Sequence, residues 1–168
     1  AGFMVPGPAQ AAGVAALDLL RHLGMSDRGI ELEIHKKMPF GSGLGSSAAS
    51  AVAGVYAINK LIGEPLAKQQ LLPFAMQGEA SADGAWHADN VGPSLLGGIV
   101  FIRSNQELDI AQLPVPKDLW AAVVHPDIEI LTKVAREILP TNIPMVNATQ
   151  QIGNLGGLIC GLIQEDYA

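Results

Sequence analysis

The sequence predicts a mixed α/β layered fold, and three observations carry that reading. Helical periodicity and short period-two stretches succeed one another in the order α, β, α, α, β, β, then β, α, α. A glycine- and serine-rich loop, Gly41–Ser47, joins the first strand to the second helix. Hydrophobic residues make up 49% of the 168 and charged ones 15%, ample material for a core.

Each element has its own warrant. After Pro6, Gly7 and Pro8, the residues Ala11, Val14, Ala15, Leu17 and Leu20 cover one broad helical face, and Gly24 stops it. Ile30 to His35 alternates apolar and polar, the pattern of a half-buried strand. Pro39 ends that segment and the glycine loop follows. From Ala48 the chain reads as a helix of small residues, which predicts tight packing on its neighbours, and Gly63 ends it. Pro65 opens a helix over about Leu66 to Glu79, with Pro73 as a break inside it. Ser81 to Asn90 reads as a polar loop. Gly97-Gly98 introduces a short strand, Ile99 to Ile102, with Leu108 to Leu113 as its hairpin partner. Pro114 and Pro116 form a stiff connection and the best candidate for a domain boundary, dividing 1–116 from 117–168. Beyond it, Leu119 to Val124 reads as a buried strand, Ile130 to Leu139 as a helix stopped by Pro140, and Met145 to Ile163 as a longer helix.

Charge and composition narrow the partners. A net charge of −6 argues against a nucleic-acid backbone as ligand, since such binders carry a basic excess. A membrane span needs about 20 consecutive apolar residues. The apolar stretches are broken by Asp18, Arg21, Asn59 and Lys60, so no membrane partner is expected. No leader pattern of basic then apolar residues opens the chain. Cys160 is the single cysteine; it sits in an apolar stretch, which predicts a buried structural thiol and a reducing, cytoplasmic setting.

Three clusters carry chemistry. The first is the loop. Glycines let backbone N–H groups converge on an anion, and the start of the next helix adds positive partial charge. It is not a P-loop, because no lysine stands in it, nor a Rossmann loop, because Ser46 stands where a third glycine belongs. Glycines alone would equally fit a flexible turn. The second cluster is Glu79, Asp83, His87, Asp89 and Asn90, which fits either a metal site or an exposed polar loop. The third is Thr132 and Arg136, four apart on one helical face. An arginine there can grip a carboxylate through two parallel hydrogen bonds, or pair with Glu129 or Glu137 on the surface. Lys36, just before the loop, either lines a nucleotide site or is an exposed strand-end lysine.

The full run Pro39-Phe40-Gly41-Ser42-Gly43-Leu44-Gly45-Ser46-Ser47-Ala48-Ala49 resembles the second signature motif of the GHMP kinases, Pro-x-x-x-Gly-Leu-Gly-Ser-Ser-Ala, without departure. The stretch from Gly78-Glu79 through Gly84-Ala85-Trp86-His87-Ala88-Asp89-Asn90 to Gly97-Gly98 resembles the homoserine kinases of that superfamily, as does Thr132-x-x-x-Arg136-x-x-Leu139-Pro140. The likeness runs from about Pro6 to Ile163. It implies an α+β, two-domain GHMP-kinase fold: a ribosomal protein S5 domain 2-like ATP-binding domain over 1–116, lacking its first strands, and the start of a ferredoxin-like domain over 117–168. It implies phosphorylation of the L-homoserine hydroxyl by ATP, in threonine biosynthesis. Residues Pro39 to Ala49 would wrap the ATP phosphates, with Ser47 and Glu79 holding Mg²⁺. Asn90 and Arg136 would bind the amino-acid substrate, and Thr132 would lie near the reacting hydroxyl. His87 and Asp89 would shape the loop, and no conventional catalytic base is implied. A homodimer is admitted.

The family's opening Asn-Leu-Gly-Pro-Gly segment and its later Gly-Ser-Gly-Pro loop are not in this sequence, so a partial sequence is expected, and one that could be inactive in isolation. A GHMP kinase for mevalonate, shikimate or a sugar is the competing enzyme reading. An inactive nucleotide-binding fragment is the competing reading of another class.

Overall fold

A computed structural model describes residues 8–38, 43–84, 86–124 and 138–166. Three helices form its packed centre: α1 over Pro8–His22, α2 over Ser46–Leu61 and α3 over Leu72–Asp83. A fourth, α4 over Ala88–Leu96, leads into a hairpin of β1, Ile99–Ser104, and β2, Asp109–Leu113. The last element is α5, Met145–Gln164.

The predicted small-residue packing is present. A Cβ added at Gly54 of α2 would come within 2.5 Å of the Ala12 carbonyl of α1. One at Gly78 of α3 would meet the Ala11 carbonyl at 2.4 Å and the Ala51 Cβ at 3.0 Å. Only glycine lets the three backbones approach that closely. The buried stripe of α1 is Ala11, Ala12, Ala15, Ala16, Leu19 and Leu20. It is turned slightly from the expected face, which leaves Leu17 exposed. Leu71, Met76, Val55 and Val91 complete the centre of the core, all with no exposed surface.

The break expected at Pro73 is a change of helix type. A 3₁₀ turn, Lys68–Leu71, precedes α3, and Pro73 sits in the first turn of α3, where a missing N–H costs no hydrogen bond. Buried Asn59 fastens the approach to that turn, donating to the Leu66 carbonyl at 2.9 Å and accepting from its N–H at 3.3 Å. The hairpin forms as expected. Its antiparallel pairs include Phe101 with Ala111 and Ile102 with Ile110, and its register shifts between Ile102 and Ser104. It packs on α4, where Val100 lies 3.4 Å from the position a Cβ at Gly92 would take.

Four expectations differ. Residues 30–35 form no strand; Ile30, Leu32, Lys36 and Met38 are half-buried, but Ile34 between them is exposed, so the period-two alternation is interrupted. Residues 119–124 form no strand either, and Trp120 and Val124 are almost fully exposed. In both, the sequence offers a strand face, but no described strand lies beside it to complete a ladder. The polar loop expected over Ser81 to Asn90 is short. Helix α3 runs on to a left-handed cap at Gly84, and α4 begins at Ala88. Cys160 is exposed rather than buried, because no residue of α5 is buried. The helix expected over Ile130 to Leu139 lies, apart from its last two residues, outside the described residues.

Candidate anion site at the start of α2

The loop enters α2 through two left-handed glycines, Gly43 at φ 72° and Gly45 at φ 71°. Gly45 is the N-cap, and its carbonyl accepts the first helical bond, from Ala49 N–H at 2.9 Å. The amides of Ser46, Ser47 and Ala48 therefore belong to the first turn, where a helix leaves its donors without helical partners and its dipole is positive. No acidic side chain stands in that turn to satisfy them.

The hydroxyls add to this. Oγ of Ser46 and Oγ of Ser47 are buried and make no hydrogen bond among the described residues. Buried polar atoms are nearly always paired, so two adjacent exceptions at a helix start make this a candidate place for an external ligand. Glu79 of α3 is itself buried at 8% exposure, and its carboxylate acts on Lys36, which bonds to the Ser46 carbonyl. Glu79 is set there by the tight seat of its neighbour Gly78 against α1 and α2. Among the described residues no three His, Cys, Asp or Glu side chains gather. The donor set of one buried serine hydroxyl and one buried carboxylate fits Mg²⁺, which takes one or two protein oxygens and fills the rest of its shell with phosphate and water.

Lys36 is not the exposed strand-end residue that one reading of the sequence allowed. Its ammonium donates to the Ser46 carbonyl at 2.5 Å and to Ser50 Oγ at 2.7 Å, clamping the segment before the loop to the first turn after it. Burial holds its pKa below the ordinary lysine value, and the Glu79 carboxylate pulls it back upward. The clamp also lines a cleft of about 300 Å³, together with Ala49, Ala53, Gly54 and Ala57 of α2.

Asn90 meets the loop at Gly45. A Cβ at Gly45 would come within 2.8 Å of its Oδ1, so loop and carboxamide are in contact range. Asp89 Oδ1 accepts the Asn90 N–H at 3.1 Å, and His87 occupies the N-cap of α4. Gly43, Leu44, Gly45, Ser46, Ser47, Ala48, Ala49, Glu79 and Asn90 are thus gathered around the start of α2. Pro39, Phe40, Gly41, Ser42, Thr132 and Arg136 lie outside the described residues. Ser50 went unnoticed in the sequence; its place one turn after Ser46, on the face of Lys36, was the available signal.

The fold and this loop define a class first: an α+β domain with a glycine-serine loop, a candidate anion site, of neither the P-loop nor the Rossmann kind. Residues 10–98 match the family model for the GHMP kinases N terminal domain. The chain belongs to the GHMP kinases. Its relatives there are homoserine kinases. One from Chlorobium phaeobacteroides is 49% identical over 82% of this chain and 43% of its own length. One from Arabidopsis thaliana is 41% identical over 92% of this chain and 42% of its own. The crystal structure of homoserine kinase from Cytophaga hutchinsonii superposes with a TM-score of 0.91 at 51% identity, covering 98% of this chain and 52% of that one. The chain spans about half the length of that structure and less than half of those two relatives.

Proposed function

We propose that this chain carries the phosphate-loop half of a homoserine kinase, which transfers the γ-phosphoryl group of ATP to the side-chain hydroxyl of L-homoserine. The observation that carries this is the pair of buried hydroxyls of Ser46 and Ser47, unbonded among the described residues, at the first turn of α2, a turn held by Lys36 on which the buried Glu79 carboxylate acts. The homoserine kinase relatives support the choice of acceptor.

Phosphoryl transfer asks for in-line placement and for neutralisation of spreading charge more than for covalent help. The amides of Gly43 to Ala48 would hold phosphate oxygens, with the helix dipole behind them. Ser47 and Glu79 would hold Mg²⁺, which neutralises charge on the phosphates when bound. Lys36 fixes the first turn that carries these groups. Asn90 would orient the acceptor from beside Gly45, and Arg136 would grip its carboxylate, with Thr132 beside the reacting hydroxyl. No residue is assigned as a conventional base. The division at Pro114–Pro116 would separate the ATP-binding domain, 1–116, from the start of a second domain, 117–168. Among the described residues no helix is long and apolar enough to cross a membrane. A cytoplasmic role in threonine biosynthesis follows from the proposed reaction.

The test is a panel assay on the protein expressed from its complete reading frame. ATP consumption with homoserine, and not with mevalonate, shikimate or a sugar, is the expected result. Turnover of one of the others in place of homoserine would overturn the choice of acceptor. Calorimetric titration with Mg·ATP checks the loop separately, and no binding by a folded protein would remove the nucleotide assignment.

A further inference from the structure

Helix α4 begins without a cap of its own. His87 stands at the N-cap and makes no side-chain capping bond. Ala88, the first helical residue, has no exposed surface, so water is not the natural partner for its N–H. The partner comes from the hairpin. Asn105, in the turn between β1 and β2, accepts from Ala88 N–H through Oδ1 at 2.8 Å. Its main-chain carbonyl accepts the Trp86 indole N–H at 3.3 Å. One turn residue thus fastens both the approach to α4 and its first residue. Two residues further on, Asn90 places its carboxamide over Gly45 of the phosphate loop.

We propose that Asn105 is a positioning residue for the acceptor side of the reaction, which caps α4 from the hairpin turn and so sets where Asn90 stands over the loop. This rests on the reading of Asn90 as an acceptor contact. Ala88, Asp89 and Asn90 are the first residues of α4, and a helix whose first donor loses its partner frays there. Fraying would displace Asn90, whereas α2, α3 and Lys36 are held by contacts of their own, the Lys36 bonds to Ser46 and Ser50 and the close seating of Gly54 and Gly78 on α1. The loss therefore falls on the alcohol substrate and spares the nucleotide. A residue that only stabilised the hairpin would not divide the two substrates in this way.

Asn105→Ala and Asn105→Asp, made in the protein expressed from its complete reading frame, test this. Asn105→Asp keeps an acceptor oxygen at the same reach. For Asn105→Ala the expected result is a KM for homoserine raised about tenfold, the scale of one lost helix cap, and a KM for ATP within about twofold of the parent. Amide exchange at Ala88 and Asn90 should quicken in Asn105→Ala and return to the parent rate in Asn105→Asp. If Asn105→Ala does not fold, Asn105→Ser, whose hydroxyl stops short of Ala88, should give the same split. Equal rises in both KM values overturn the proposal, as does unchanged protection at Ala88 and Asn90. Should the enzyme turn over a different alcohol, the homoserine reading falls alone, and the KM split measured with that alcohol judges Asn105. Should it turn over none, the exchange rates judge it.

Discussion

Helices α2 and α5 are both built from small and apolar residues, yet α2 buries nine of its sixteen residues and α5 none of its twenty. Their glycines sharpen the contrast. Gly54 of α2 exists to admit the backbone of α1, whereas Gly153, Gly156 and Gly157 of α5 have nothing within 4 Å of where a Cβ would go. Apolar composition supplies a face; burial needs a second face to meet it. The candidate site follows the packed region, because atoms can be held buried and unbonded only where the surroundings are rigid.

The contrast is broken most decisively by activity. Glu79→Gln removes a buried charge from the packed side, and kcat/KM for homoserine should fall on the order of 10²-fold, as for loss of one strong transition-state electrostatic contact. Cys160→Ser on the exposed face of α5 should leave the same assay unchanged. A Glu79→Gln enzyme with parental kcat/KM would remove Glu79 from the site.

Stability comes next. Gly78→Val would drive a side chain into the Ala11 carbonyl and should cost roughly 1–3 kcal/mol in a denaturant titration. Gly156→Ala, with open space around it, should stabilise α5 by about 0.5–1 kcal/mol through helix propensity alone. Equal effects at the two positions would mean that α5 is packed as closely as α3, whose Gly78 also meets Ala51 of α2.

The smallest expected effect is one of pH. Burial lowers the Lys36 pKa from its ordinary 10.5, against the upward pull of Glu79. Between the lowered value and 10.5 the unfolded chain holds a proton that the folded chain has released, so the contribution of this group to stability rises with pH across that window. The difference in unfolding free energy between the parent and Lys36→Met should therefore slope upward on the alkaline side. A flat difference would mean that Lys36 is solvated in the fold as well as in the open chain.

Much of the packed region was legible in the sequence. Period, proline and glycine located α1, α2 and the hairpin, and the small residues of α2 announced its close contacts. The loop was legible because its glycines stand immediately before a helix of small residues. What the sequence hid is what depends on distant partners. Residues 30–35 and 119–124 alternate as strands do, but alternation states only which side faces inward, not whether a neighbouring ladder exists. Helix α4 was hidden behind Gly92 and Pro93 in its middle and a polar start, and its first N–H is satisfied by a side chain 17 residues away. No local pattern reports such a cap. Lys36 was noticed for its position, yet its engagement with Ser46 and Ser50 required the fold. The places of Thr132 and Arg136 rest on resemblance, since both lie outside the described residues.

The contact between Gly45 and Asn90 has a consequence for which sequences this domain tolerates. A methyl group at position 45 would meet two separate penalties, one from a backbone held at φ 71° and one from the carboxamide in its path. The second penalty eases if Asn90 is shortened to alanine, which leaves only its Cβ at 3.2 Å, while the first does not. The two positions are therefore not free to vary independently, and a change at one alters the cost of a change at the other across 45 residues of chain.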